Sequence, residues 1–136
     1  MKPDEEIKKA FKLFIDENGI INLLVLDIEK KSEDNVRLTE LVEEGLLEIF
    51  NKNPEKRYNW FIDITPSEEK AHAFSNKSRK IGKRIASHKQ LKNIGVVVSS
   101  IFMRTIIGFV ASVTGRGKNI KCFSDKEKAL EWLKED

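Results

Sequence analysis

The sequence has few of the residues that build disulfide frameworks, metal sites or catalytic centres. It contains one cysteine, Cys122, and two histidines, His72 and His88, among 136 residues. A single cysteine excludes a disulfide within the chain and disfavours a cysteine-based zinc site. The two histidines lie sixteen residues apart on one predicted helix. We therefore expect no metal, no cofactor and no Ser–His–acid or Cys–His arrangement, so that the protein is not an enzyme.

Long hydrophobic runs are also lacking. The longest apolar stretch, residues 101–113, is interrupted by Arg104 and is too short to span a bilayer. The charged N-terminus, residues 1–6, has no apolar signal region. These absences predict a cytoplasmic protein without a transmembrane segment. The length predicts one domain that spans residues 1–136.

Acidic residues are absent from one long segment of the chain. Residues 70–124 carry 12 bases and no acid, whereas residues 1–69 carry 17 acids and 10 bases. Much of this positive charge falls on one predicted helix, which makes its basic side a candidate contact for an anionic partner. The candidate contact residues there are Lys80, Lys83 and Arg84. The alternative is a solvated helix face that is complemented by the acidic first helix of the same or a neighbouring subunit.

Nucleic acid is a disfavoured partner for this basic helix. The helix lacks the interleaved aromatic side chains on which single-stranded bases stack. The chain also lacks a helix-turn-helix or another DNA-reading motif. The positive charge is therefore better explained by an acidic protein surface, a small anion or solvent.

Hydrophobic periodicity predicts strands that alternate with helices. Asn18-Gly19 separates the first two apolar runs, and this dipeptide is typical of a β-hairpin. The predicted strands are residues 11–16, 20–27, 58–64, 94–99 and 119–123. The predicted helices are residues 38–50, 65–88, 101–113 and 124–133. The resulting order, β-β-α-β-α-β-α-β-α, predicts an α/β fold with a mixed, mostly parallel sheet and packed helices.

Helix starts are indicated at two positions by capping residues. Thr65, Pro66 and Glu68 fit the start of the second predicted helix, with Thr65 as the N-cap of a capping box. Ser124 and Glu127 fit the start of the last helix in the same way.

The C-terminal stretch carries a resemblance to a known family. Asn119-Ile-Lys-Cys-Phe-Ser-Asp-Lys-Glu-Lys-Ala-Leu-Glu-Trp-Leu133 is a short strand followed by F-(S/D)-(D/S)-x-E-x-A-L-x-W-L, which is similar to the ending of the STAS (anti-sigma-factor-antagonist) fold. The Ala-Leu-Glu-Trp-Leu form is closest to the SpoIIAA-like (STAS/SEC14-like) subgroup. Together with the element order, the resemblance covers about residues 11–133. It implies a non-enzymatic regulatory or binding module.

The same resemblance implies candidate phosphosites. In anti-sigma-factor antagonists, a serine at the start of the helix after the third strand is phosphorylated within an Asp-Ser-Ser/Thr-Gly-like turn. That turn is missing here, and Ser67 and Thr65 are the nearest hydroxyls. Glu68 and Glu69 lie at the same predicted helix end, where they would repel a phosphate.

The apolar segment 101–113 predicts a helix that is hydrophobic on more than one face. A helix packed on one side of a sheet normally shows a narrower apolar stripe. The excess indicates contact with a partner, a dimer contact or a lipophilic ligand beneath the helix, although a deeply buried helix is the alternative. The candidate contact residues are Phe102, Met103, Ile106 and Phe109.

These patterns lead to one interpretation and two alternatives. The interpretation is a module that acts through contact with a regulatory protein or with a second copy of itself in a homodimer. The first alternative is a carrier of a small lipophilic or anionic ligand beneath the 101–113 helix. The second is a phosphoacceptor or enzyme near Asp27 and Asp63, because ligands of open α/β sheets bind at strand ends. This last alternative is disfavoured because paired acids on the first strand and a lysine that ends the last strand are missing.

Overall fold

The chain alternates short helices with the strands of one sheet, as a computed structural model shows. The structure describes residues 1–27, 31–67, 75–101, 104–105, 107–108, 115 and 119–135. The strands are β1 (Phe11–Ile15), β2 (Ile21–Val25), β3 (Tyr58–Asp63), β4 (Leu91–Val97) and β5 (Ile120–Phe123). The helices are α1 (Asp4–Ile7), α2 (Ser32–Lys52), α3 (Asn76–Ala86) and α4 (Lys126–Lys134). A turn of 3-10 helix, Lys8–Ala10, leads from α1 into β1.

The five strands form one sheet in the order β1-β2-β3-β4-β5. β1 runs antiparallel to β2, and β2, β3, β4 and β5 are parallel to one another. The hairpin between β1 and β2 turns at Gly19, whose φ of 76° lies in the left-handed region that glycine adopts without strain. The predicted α/β class and the mostly parallel sheet are thus confirmed.

The central strands β3 and β4 are covered on both faces. Alternate residues point to opposite faces of a sheet, and the strand register brings Leu23, Ile62 and Val96 into one row. This first face packs against α2 and α3 and forms the larger core of the molecule. Because the residues of these strands are buried on both faces, their sequences are nearly continuous apolar runs.

The second face of the sheet is covered by α4. Ala129 and Leu133 of this helix pack on Phe61 and Val97 in a smaller core. Gly95 of β4 lies directly beneath the helix, since a Cβ atom there would be 3.3 Å from Leu133 Cδ1. The missing side chain therefore lets α4 approach the sheet closely.

α2 spans Ser32–Lys52 rather than 38–50, and β4 spans Leu91–Val97 rather than 94–99. Three other places also differ from the expectations from sequence. α3 begins at Asn76, where the hydroxyl of Ser75 accepts the N–H of Ser78 at 3.2 Å. The predicted start at Thr65 is wrong because residues 65–67 form a turn in which the Thr65 hydroxyl donates to Asp63. Residues 68–74, including Glu68, lie outside the described residues.

The other two differences concern the ends of the chain. α4 is capped by Asp125, whose side chain accepts the N–H of Glu127, and not by Ser124. The short helix α1 was not indicated by the periodicity, because four residues do not establish a helical repeat.

Gln90 fixes the connection between α2 and β3. Its side chain is only 6% exposed, and its amide nitrogen contacts the carbonyl oxygens of Phe50, Asn53 and Lys56 at 3.0–3.2 Å. These carbonyls lie at and beyond the end of α2, where the helix itself offers no donors. The amide therefore supplies the donors that the helix end lacks.

Replacing Gln90 by alanine should lower the free energy of unfolding by about 1–3 kcal/mol, because the buried carbonyl of Phe50 and the partly buried carbonyls of Asn53 and Lys56 lose their donor. The measurement is urea unfolding followed by circular dichroism. Lys89→Ala, at the exposed neighbouring position, is the control and should change stability by less than about 0.5 kcal/mol. Equal stability of the two variants would contradict the role of the Gln90 amide.

An ion pair holds α1 against α2. Arg37 donates from Nε to Asp4 Oδ1 at 2.9 Å and from Nη2 to Asp4 Oδ2 at 2.8 Å. These hydrogen bonds, together with the positive charge, lower the pKa of the Asp4 carboxyl below its ordinary value. The charged form of Asp4 is therefore favoured in the folded state.

The stabilisation from Asp4 should be present at neutral pH and should disappear as the pH falls from 3.8 through the lower pKa of the folded state. Urea midpoints of the wild type and of Asp4→Asn should differ at pH 7 and converge in acid. Arg37→Gln should show the same loss of pH dependence, since it removes the partner. A gap between wild type and Asp4→Asn that did not narrow at all as the pH falls below 3.8 would refute this linkage.

Candidate functional site

An apolar cavity lies between the first face of the sheet and the helices α2 and α3. Its volume is about 240 Å³. Of the 17 described residues that line it, Thr39, Ser78 and Arg79 have polar side chains. Trp60, which is mainly apolar, adds an indole N–H, and the remaining lining residues are apolar or glycine. The cavity is therefore suited to an apolar molecule rather than to a charged reaction centre.

The strands provide one wall of the cavity. The register places Trp60 opposite Ile94, and Ile94 opposite Ile120, in one row across β3, β4 and β5. Ile62 and Val96 form the next row. Because β-branched side chains have few rotamers, this wall is rigid.

The opposite wall comes mainly from α3. Ser78, Gly82 and Ala86 recur every four residues and therefore share one side of the helix. A Cβ atom on Gly82 would meet nothing within 4 Å. Larger residues at these positions would fill the space, so the small side chains of α3 create the cavity. Leu38 and Val42 of α2 line it as well.

The polar groups of the cavity differ in whether they have partners. The Thr39 hydroxyl donates to the Asn35 carbonyl at 2.9 Å, and the Ser78 hydroxyl accepts from Ser75 at 3.4 Å. Trp60 is 5% exposed, and its indole N–H has no hydrogen-bond partner within the described part of the chain. Arg79 is exposed and is the one charged residue among the described lining residues.

A second hollow of about 330 Å³ lies on the outer side of α2 and α3. Glu43, Arg84 and His88 border it, and the side chain of His88 stacks on Phe50 with ring centroids 4.3 Å apart. It does not reach the sheet. We therefore regard the cavity at the sheet as the candidate site.

The structure describes only some residues of the 101–113 segment. Phe102, Met103, Ile106 and Phe109 lie outside the described residues. The described residues of the segment from 101 to 108 are helical, and Ile107 lines the cavity. Ile101 is 79% exposed. The structure thus places one residue of this helix at the site.

The predicted basic contacts lie on α3, but they differ in their surroundings. Arg84 forms a two-pronged hydrogen-bonded ion pair with Glu43 of α2, which raises the pKa of the guanidinium. The sequence predicted that an acidic helix, now seen to be α2, could neutralise the basic helix within the same chain, and this ion pair does so for Arg84. Lys80 and Lys83 are exposed, and neither lines the cavity.

The two candidate phosphosites also differ. Ser67 is 1% exposed, and its hydroxyl donates to the Val25 carbonyl at 3.1 Å. Thr65 is exposed and its hydroxyl donates to Asp63 at 2.7 Å. A phosphate on Ser67 would have to displace a buried hydrogen bond, so Thr65 is the more accessible hydroxyl. Phosphorylation of either residue stays a prediction.

The strand-end carboxylates Asp63 and Asp27 lie in different surroundings. Asp63 accepts the backbone N–H of Thr65 at 3.0 Å as well as its hydroxyl, which stabilises the turn after β3. Asp27 follows β2 and is exposed. Within the described residues no group of three histidine, cysteine or acidic side chains could hold a metal ion.

Cys122 of β5 is half-buried and packs against the larger core. Burial raises the pKa of its thiol, although the positive charge of Arg104 acts in the opposite direction. The thiol is therefore protonated at neutral pH and poorly nucleophilic, as expected for a packing residue.

Two lining residues were missed by the sequence reasoning. The sequence places Gly82 in the basic helix without a role of its own. Its spacing of four residues from Ser78 and from Ala86 could have indicated a helix side made of small residues. Trp60 was interpreted only as a strand residue. Nothing in the sequence indicates that its N–H lacks a partner, because that depends on what packs around it.

A solved structure shares the fold of this chain. A crystal structure of an uncharacterised protein from the DUF3478 family with a SpoIIAA-like fold, from Shewanella loihica PV-4, superposes with a TM-score of 0.60. It shares 18% sequence identity, and the match covers 91% of this chain and 92% of that chain. The chain thus has the SpoIIAA-like fold that the resemblance implied.

The sequence itself matches a narrower group. The model of a family described as a domain of unknown function, DUF7793, covers residues 15–135, so the chain belongs to this family. No curated protein matches the sequence. In the part of the chain that is described, none of the helices has the length and hydrophobicity needed to cross a membrane.

The small residues of α3 generate a prediction about stability. Gly82→Ala should raise the free energy of unfolding by about 1 kcal/mol, because alanine favours the helix and the new methyl group has space. Gly45→Ala in α2 is the matched control. Its Cβ would lie 2.6 Å from Leu13 Cδ2, so the same gain in helix propensity should be reduced or reversed.

Urea unfolding of both variants measures the difference. If Gly82→Ala were the less stable of the two, the space beside Gly82 could not be what the structure indicates.

Proposed function

We propose that this chain is a non-enzymatic binding module that holds a small apolar molecule in the cavity between the sheet and α3. The observation that carries the proposal is the cavity itself, about 240 Å³ in volume and lined almost wholly by apolar side chains. Its position, against the sheet and bordered by Ile107, agrees with the predicted carrier of a ligand beneath the 101–113 helix.

The energetics of apolar space support this proposal. A ligand in this space would remove the apolar lining from water, and each Å² of apolar surface removed from water contributes about 25 cal/mol. Apolar atoms that enter the cavity are therefore strongly favoured, provided that they fit its shape.

Protein contact remains a second candidate function. Ile101 is 79% exposed, and Lys80 and Lys83 are exposed on α3. These residues support contact with a regulatory protein or a homodimer, as predicted from the sequence. A cytoplasmic location likewise stays a prediction.

Native mass spectrometry of the freshly purified protein tests both functions. The cavity function predicts a retained non-covalent mass, or a rise in melting temperature when the protein is saturated with butylbenzene, since a ligand of the folded state stabilises it. Contact between copies of the chain predicts a dimer mass. A protein with no added mass and no response to butylbenzene would contradict the cavity function.

A substitution that fills the cavity sharpens the test. Gly82→Leu should abolish the retained mass and the response to butylbenzene while the protein stays folded, because its side chain would occupy the space beside Gly82. Lys77→Leu, which adds the same side chain to the exposed side of α3, should leave both readouts unchanged. Equal binding by the two variants would place the ligand elsewhere.

A further inference from the structure

Strand β1 is an edge of the sheet, and half of its backbone groups point away from β2. At the two ends of the β1–β2 ladder, the Asp16 N–H donates to the Ile20 carbonyl and the Leu26 N–H donates to the Ala10 carbonyl. In an antiparallel pair, residues whose N–H and C=O groups face the neighbouring strand alternate with residues whose groups face away. The even-numbered positions therefore face β2, and the odd-numbered positions of β1 direct their N–H and C=O groups to the outer edge.

This outer edge is open to another strand. Within the described part of the chain, the outward backbone groups of Phe11, Leu13 and Ile15 have no hydrogen-bond partner. Proteins block such edges with prolines, bulges or inward-pointing charges. β1 has no proline, its register on β2 runs without a bulge, and its one charged residue, Lys12, is exposed.

Two large apolar side chains of β1 are exposed as well. Phe14 and Ile15 are each 45% exposed. They lie on opposite faces of the sheet, because successive side chains of a strand alternate. A strand added at the edge would cover part of both side chains, so hydrogen bonding and apolar burial favour the same contact.

A second copy of β1 fits this edge because the strand is complementary to itself. The antiparallel register with Leu13 opposite Leu13 of the second copy also places Phe11 opposite Ile15, so all the outward positions meet outward positions. It forms three hydrogen-bonded pairs, each of which exchanges two N–H···O=C bonds. Shifting this register by two positions in either direction leaves two such pairs within the strand, and one of the shifts places Lys12 opposite Lys12.

The charge of the strand agrees with the same register. Lys12 lies opposite Phe14 of the second copy, at a pair that is not hydrogen-bonded and whose side chains are therefore closest. An ammonium group is attracted by the face of an aromatic ring. Lys12 thus favours the pairing in this register and opposes it in the register that brings the two lysines together.

We propose that the protein forms a homodimer through β1, in which the two β1 strands pair antiparallel about Leu13 and join two five-stranded sheets into one. This contact is separate from the cavity. It assigns the contact between copies to β1 rather than to Ile101 or to the lysines of α3.

Sedimentation equilibrium of the full chain tests the proposal, at protein concentrations up to about 1 mM so that weak association is included. The wild type should be a dimer. Ile15→Pro removes an N–H that points away from β2, so the strand can stay in its own sheet while the edge loses a donor. It should raise the dissociation constant about tenfold or more, since two bonds between the copies are lost. Ile15→Thr keeps the N–H and is the matched control, with an expected change below about threefold.

A charge exchange tests the register. Phe14→Lys places lysine opposite Lys12 twice and should raise the dissociation constant about tenfold. Adding Lys12→Glu turns both contacts into pairs of opposite charge and should restore the dissociation constant to within about threefold of the wild type. Both positions are exposed, so the circular dichroism spectrum should not change.

The other outcomes overturn the proposal. A wild type that is monomeric up to about 1 mM refutes it. A dimer that Phe14→Lys leaves intact and Ile101→Ser dissociates places the interface elsewhere. If Ile15→Pro does not fold, the charge exchange decides alone, and a failure of Lys12→Glu to restore the dimer refutes the pairing. The response to butylbenzene should be the same in all folded variants, so the dimer and the cavity function stand or fall separately.

Discussion

The central strands β3 and β4 must be covered on both faces, and the two covers of the sheet are not equivalent. On one face, α4 rests directly on Gly95, where a Cβ atom would come within 3.3 Å of Leu133. On the other face, α3 contributes Ile81 and Ile85 to the core, and it also carries the small residues Ser78 and Gly82, which line the cavity. Tight packing on one side therefore anchors the fold, and looser packing on the other leaves the cavity.

Much of the fold could be predicted from the sequence, since apolar periodicity and turn chemistry are local signals. The hairpin at Asn18-Gly19, the parallel strands and the C-terminal helix all agree with the structure. The exact helix starts could not be predicted. Thr65 and Ser75 are both competent N-caps, and the choice depends on Asp63, which engages the Thr65 hydroxyl. Competition between neighbouring side chains for one hydroxyl is not visible in spacing alone.

The candidate site was less predictable than the fold. The charge asymmetry drew attention to Lys80, Lys83 and Arg84, yet Arg84 is paired with Glu43 and the two lysines lie away from the cavity. Charged residues can be identified directly from the sequence. A cavity cannot, because its walls come from several helices and strands that are distant in sequence. Ile107 joins the cavity from the one segment whose apolar excess suggested a ligand. This position of Ile107 is the reason that the function proposed first is the holding of a small molecule.

The four-residue spacing of Ser78, Gly82 and Ala86 separates the capacity of the cavity from the integrity of the fold. None of these three residues contributes a large side chain to the core, so single substitutions among them can lengthen or shorten the space while the sheet, α4 and the Gln90 contacts stay as they are. Substitutions on this one side of α3 would therefore change the volume of the cavity. Keeping the space open at Gly82 therefore has a cost in helix stability, because alanine at this position would favour the helix.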